Sequence, residues 1–201
     1  MNQFLRHARH TVTENPITLV AFGLLVLFVL LAIFGPWMAP HDPLASNAAR
    51  TLQPPSRAHP FGTDQIGRDI MSRVMVAARL DLAIAVSAVA LSFALGSLAG
   101  NGPARVLFVH VFPNCLPPMI VQASLNLGWA ILNAASLSFI GLGVRPPIPE
   151  WGIMVADGAA FMVSGEWWVA FFPGLALMLA VFCFNLLGDG VRDLLDPRQR
   201  T

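Results

Sequence analysis

The sequence predicts an all-α integral membrane protein, and three observations lead there. Of its 201 residues, 56% are hydrophobic and the mean hydropathy is +0.66. Only 11% are charged, far below the ~25% of an ordinary soluble domain. The charges also cluster, leaving four apolar runs close to the ~20 residues a helix needs to cross a ~30 Å hydrocarbon layer.

The first run is Ile17 to about Phe34, closed by Gly35-Pro36 and preceded by Arg6, His7, Arg9 and His10. It is longer than the apolar stretch of a secretory signal, and no small-x-small cleavage site follows. The expectation is an uncleaved first helix. The second run is about Leu82 to Leu98, with Gly96 and Gly100 in the GxxxG spacing that lets helices approach closely. The third is about Pro117 to Ile140. Pro117-Pro118 suits a helix start, where a missing N–H is harmless, and Asn114 is a nearby candidate cap. The fourth is about Trp167 to Leu187. Pro173-Gly174 inside it predicts a kink, and Trp167 and Trp168 suit an interfacial aromatic belt.

The chain divides into a tail and first helix over 1–38, a polar segment over 39–81, and a helical core with a C-terminal tail over 82–201. The polar segment starts as an extended loop. Ile66, Ile70 and Val74 then recur every fourth residue, which predicts a short amphipathic helix from near Thr63. On such a helix Asp64 with Arg68, and Asp69 with Arg73, are i,i+4 pairs in the favourable order. The bland expectation is a solvated helix on the membrane surface. An even number of spans puts both termini on one side. Arginine counts do not orient the chain, because the 39–81 segment carries five and the two tails together also carry five.

Polar residues inside the third run follow a pattern. Gln122, Asn126, Trp129, Asn133 and Ser136 fall on one helical stripe, with Ala123, Ala130 and Ala134 on an adjacent one. Amides in hydrocarbon need partners or water. The polar stripe therefore faces either a wet pathway or a partner helix, and the small stripe faces a close neighbour. No acid or base lies within runs one, three or four, which argues against an ion-coupled carrier.

Other classes find little support. Net charge is +1 and every basic residue is Arg, so nothing points to nucleic acid. There is no P-loop, HExxH or GxSxG. Cys115 and Cys183 lack CxxC spacing and read as small apolar residues, with no metal site expected. His110 stands alone near a membrane boundary. Asp189, Asp193 and Asp196 interleave with Arg192 and Arg198 as a solvated tail.

Three ordered segments carry a resemblance. One is Pro54-Pro55-Ser56 followed by His59 through Arg73, reading HPFGTDQIGRDIMSR. The second runs from Arg105 through HVFPN (110–114) and Pro117-Pro118 to LSFIGLGV (137–144), Pro146-Pro147, Pro149 and Glu150-Trp151-Gly152. The third is Phe172-Pro173-Gly174, then NLLGDGVRD (185–193) and LDPR (195–198). Together they resemble the dipeptide/oligopeptide/nickel permease family of binding-protein-dependent ABC importers, in its C-type subunit.

The resemblance implies a type I importer permease fold and an inner-membrane protein with both termini cytoplasmic. It implies a second related permease, two ATPase subunits that bind ATP and Mg, and a periplasmic solute-binding protein, with the lipid bilayer around them. The chain itself is then no enzyme and binds no cofactor. Gly100, Gly102, Pro103, Arg105, His110, Pro113 and Asn114 match the second half of the loop that couples to the ATPase. Gln122, Asn126, Asn133 and Ser136 become candidate pathway residues. Asp64, Arg68, Asp69, Arg73 and Trp151 belong to the periplasmic segment, as a gate or docking surface. Dipeptides, oligopeptides, nickel chelates and glutathione are not distinguished.

One departure stands out. The family has six core spans, and its Glu-Ala-Ala element is replaced here by Ala94, Leu95 and Gly96. Two spans and half the coupling loop are thus missing near 96–101. An omitted segment, a natural deletion and a defective gene copy all fit. The alternative function is a membrane remnant that inserts but does not transport.

Overall fold

The computed structural model describes residues 16–98 and 112–195. Among them are five α-helices: α1 (Pro16–Met38), α2 (Ile70–Leu98), α3 (Phe112–Phe139), α4 (Trp151–Ala159) and α5 (Trp168–Leu195). A 3-10 turn covers Ala48–Arg50. Helices α1, α2, α3 and α5 are long and apolar enough to cross a membrane, matching the four expected runs.

The boundaries differ for physical reasons. Helix α1 does not stop at Gly35-Pro36 but continues to Met38. Gly35 is there for contact rather than termination. A Cβ on it would meet the Met75 carbonyl oxygen at 2.6 Å, so its absence lets α1 lie against the backbone of α2. The amphipathic helix expected from Thr63 does not form. The chain is turned until Asp69, and α2 then runs from Ile70 straight into the second span. Asp69 supplies the start, because its Oδ2 accepts from the Ser72 N–H at 2.8 Å and leaves one fewer orphan donor in the first turn. Helix α3 begins at Phe112, so Pro117-Pro118 lies inside it rather than at its start.

Helix α4 is an element the sequence reading missed. Glu150 caps it, accepting from the Gly152 and Ile153 N–H groups at 2.8 and 2.9 Å. An acid directly before Trp-Gly-Ile-Met-Val is a helix-start signal of a short kind.

Helix α5 is the common wall of the bundle and packs on α1, α3 and α4; α2 closes the other side against α1 and α3. The core mixes the small residues Ala21, Ala77, Ala78, Ala85, Ala180 and Cys183 with large ones such as Phe28, Trp151, Trp168 and Phe184. The Cys183 Sγ donates to the Ala21 carbonyl at 3.4 Å, in keeping with an ordinary apolar role. On α3 the buried seam is Gly128, Ile131, Ala135 and Ser138. It runs beside the expected alanine stripe, whose Ala123, Ala130 and Ala134 are half-buried.

Trp151 is a large member of this core and is wholly buried. Its indole sits edge-on to Phe28 at 5.8 Å and donates to the Val74 carbonyl at 3.1 Å. One side chain thus ties α4 to α1 and α2. Truncation leaves a cavity in this core. Trp151→Ala is expected to lower stability by about 3–5 kcal/mol, read as a large fall in melting temperature in detergent. Trp129→Ala, at a position 63% exposed, is the control and is expected to leave the melt nearly unchanged.

Candidate functional site

Residues 39–69 form a strap that joins α1 to α2. It folds around the HPFGTDQIGRD motif. Backbone bonds lace the strap to itself: Asn47 N–H to the Ile66 carbonyl, Leu52 N–H to that of Asp64, and Thr63 N–H to that of Gln53, all at 3.0–3.1 Å. Thr63 and Asp69 face each other as an isolated antiparallel bridge. Gly67 makes the turn possible. Its φ is +76°, and a Cβ there would lie 1.9 Å from the Asn47 carbonyl oxygen.

Charged side chains fill this knot. Asp64 Oδ2 lies 2.6 Å from Arg68 Nε and 3.8 Å from Arg73 Nε. Its Oδ1 accepts from the Ile66 and Arg68 N–H groups at 3.0 and 2.9 Å. Arg73 donates onward to the carbonyls of Pro43 and Pro147, at 3.2 and 3.4 Å, pinning the start of the strap and the loop before α4. Asp69 takes His59 Nδ1 at 2.8 Å and the Ser72 hydroxyl at 2.6 Å. The sequence pairing of Asp64 with Arg68 is therefore real, but on a turn rather than a helix. Asp69 does not pair with Arg73.

All four of these charged residues are buried, none more than 5% exposed. That corrects the expectation of a solvated surface helix, and it means their side chains present no exposed docking surface. The cause is the strap itself. Folding it over the helix ends buries many backbone polar groups, and the carboxylates satisfy several of them. Trp151, grouped with them on sequence, lies in the core below. Trp168 is also buried, and its indole donates to the Thr63 carbonyl at 3.4 Å; half-exposed Trp167 alone suits an aromatic belt. Phe61 of the strap stacks on Phe172 of α5 at 4.1 Å.

The sequence reading expected no metal-ligand cluster. The structure brings His41 and His59 together beside Asp69, with ligand atoms all within 4.8 Å. Strap folding alone makes that approach, so residue spacing gave no sign of it. Asp81 and Glu150 were missed too. Both are buried, and Asp81 Oδ2 accepts from the Trp151 N–H at 3.3 Å.

The other polar group is the α3 stripe. Gln122, Asn126, Trp129, Asn133 and Ser136 are all exposed, while the opposite side of α3 packs on α5. Gln122 donates to the Asn126 side-chain oxygen at 3.1 Å, and Ser136 to the Leu132 carbonyl at 2.7 Å. Gln122 and Asn126 look into an open cleft of about 260 Å³ between α2 and α3, shared with Val89, Ser92 and Met119. Ser136 borders a second cleft between α3, α4 and α5. The stripe thus presents polar groups on a wall otherwise lined by apolar side chains. Gly100, Gly102, Pro103, Arg105 and His110 lie outside the described residues. Pro113 and Asn114 fall in the first turn of α3.

Comparison with known proteins fits this architecture. The family described as binding-protein-dependent transport system inner membrane component matches residues 78–201. The N-terminal TM domain of oligopeptide transport permease C matches residues 3–55. The probable D,D-dipeptide transport system permease protein DdpC of Escherichia coli (strain K12) is 34% identical, covering 92% of this chain and 88% of the relative. The dipeptide transport system permease protein DppC of the same strain is 33% identical over 94% of this chain and 91% of the relative. The di/tripeptide transport system permease protein DppC of Pseudomonas aeruginosa (strain UCBPP-PA14) is 33% identical over 87% and 86%. The first of these alignments runs over 264 residues against a chain of 201, so more than sixty positions of it face no residue here.

The strap geometry predicts how its charges respond to mutation. Asp64→Asn strands two buried guanidinium groups beside a neutral amide, an effect of about 3–5 kcal/mol for a broken buried pair. The expected result is a marked loss of folded protein in membranes and a lowered melt. Asp42→Asn, at an exposed strap carboxylate that caps only Leu44, is expected to behave as wild type. A wild-type melt for Asp64→Asn contradicts the structural role given to it here. With its four apolar helices long enough to span a membrane and its two family matches, the chain belongs to the binding-protein-dependent transport system inner membrane components, as a multi-pass permease subunit.

Proposed function

We propose that this permease subunit forms part of the path for di- or oligopeptides, or related small polar solutes. The observation that carries the reading is the exposed Gln122–Asn126–Asn133–Ser136 stripe on a helix whose other side is packed. Amides that face neither protein nor lipid comfortably are suited to water and to the peptide groups of a solute, with which they exchange hydrogen bonds. The names of the relatives, all peptide permeases, support that solute class.

In this reading the chain works beside a second, related permease, whose helices complete the wall opposite the stripe. A periplasmic solute-binding protein delivers solute at the strap end. Two ATPase subunits dock at the opposite end, on the segment from Gly100 to Asn114. Both termini of the chain are cytoplasmic. ATP and Mg are bound by those partners, and this chain catalyses nothing and holds no nucleotide.

A second reading has its own support. The relatives' alignments contain more than sixty positions with no counterpart here. That is enough for two spanning helices of about 20 residues each and part of a loop. Placed near 96–101, such a loss removes the first half of the coupling segment, and the chain becomes a remnant that inserts without transporting.

Two measurements test these readings. Gln122→Leu, Asn126→Leu and Asn133→Leu together are expected to cut peptide uptake by at least tenfold while leaving assembly with the partner subunits intact, measured by co-purification. Uptake at the wild-type rate assigns the stripe to packing. Separately, the 201-residue chain is expected to restore peptide uptake to a strain lacking its own C-type permease; stable insertion with no uptake favours the remnant.

A further inference from the structure

The strap holds a second chemical feature, a cluster of metal-ligating side chains. His41 and His59 lie side by side with ring centroids 4.6 Å apart. His59 Nδ1 is 2.8 Å from Asp69 Oδ1, and His41 Nδ1 is 3.8 Å from Asp69 Oδ2. The three ligand atoms fall within 4.8 Å of one another. Ligands at about 2.0–2.2 Å around a four-coordinate Zn²⁺ sit roughly 3.3–3.5 Å apart. The observed spacings, from 2.8 Å to at most 4.8 Å, bracket that range, so side-chain rotations that move the ligand atoms by about an ångström reach it.

Fastening the strap does not need His41. The His59–Asp69 bond already does that, and the main chain of His41 is separately held by its N–H to the Ser72 hydroxyl at 3.0 Å. Yet the His41 Nδ1 atom is buried and has no hydrogen-bond partner. An orphaned polar atom aimed at a carboxylate beyond bonding distance is unfavourable by about 1–3 kcal/mol. A bridging cation removes that penalty.

We propose that His41, His59 and Asp69 form a three-ligand site for a divalent transition metal of the Zn²⁺ class. Two imidazoles and one carboxylate are the donor set such ions prefer over Mg²⁺ or Ca²⁺. The supporting contacts are in place: the Ser72 N–H and hydroxyl both bond Asp69 Oδ2 and fix the carboxylate's orientation. The His41 side chain is 36% exposed, which gives the ion a route from solvent and leaves a fourth position for water. The ion ties the start of the strap, its middle and the first turn of α2 at one point. It therefore acts as a clasp on the end of the bundle.

The test uses the full chain in its assembled complex, purified in detergent without a polyhistidine tag and stripped of metal. Equilibrium dialysis against Zn²⁺ is expected to show one ion per chain, and Co²⁺ in its place the visible absorption of a four-coordinate N/O site. Zn²⁺ is expected to raise the melting temperature. His41→Ala is expected to melt like the metal-free wild type, lose at least tenfold in affinity and lose the Zn²⁺-dependent rise. Replacing His7, His10 and His110 together is expected to leave binding unchanged. Absence of stoichiometric binding to the wild type overturns the proposal whatever the variants do. So does binding that survives His41→Ala or that disappears with the other three histidines.

Discussion

The carboxylate of Asp64 is the constraint on which one end of this molecule depends. It holds Arg68 directly, lies beside Arg73, and accepts two strap N–H groups through its other oxygen. Arg73 in turn reaches two loops far apart in sequence. Much of the 39–69 connection stays exposed, but its buried part, His59 with residues 62–64 and 67–69, needs partners because each peptide brings a donor and an acceptor. Here charged side chains supply the partners that a helix or sheet would otherwise provide. Asp69 completes the arrangement by closing the strap on His59 and opening α2 through Ser72.

That arrangement divides the molecule by purpose. At the strap end the charges of Asp64, Arg68, Asp69 and Arg73 point inward and are paired or hydrogen-bonded, and the aromatic residues Phe61, Phe172 and Trp168 pack against them. Along α3 the polar chemistry is outward, on a face left exposed among the described residues. An apolar core that includes Trp151 joins the two and ties α4 to α1 and α2.

Much of this was legible in the residues. Hydropathy located all four spanning helices, since ~20 apolar residues have few other fates. Helical spacing put Gln122, Asn126, Asn133 and Ser136 on one face, and they are on one face. The motif over 59–73 was recognisable, but its conformation was not. Ile66, Ile70 and Val74 mimic a helical period, whereas Gly67 at positive φ and the Asp69 cap break it. Local pattern could not show this, because the deciding contacts are with Asn47, Gln53 and Trp168. Helix α4 escaped because nine residues are too few for a hydropathy signal. The approach of His41 to His59 escaped because it is made by tertiary folding of the strap.

In the assembled importer the α3 stripe is expected to border water. Thiol accessibility tests it most directly. In a chain with Cys115 and Cys183 replaced by Ala, single cysteines are placed at Asn126, Asn133, Ile131 and Phe182, and the assembled complex in membranes is treated with a small, charged thiol reagent. Labelling is expected at 126 and 133, and none at buried Ile131 or at exposed, apolar Phe182. Positions 126 and 133 as unreactive as 131 and 182 contradict it.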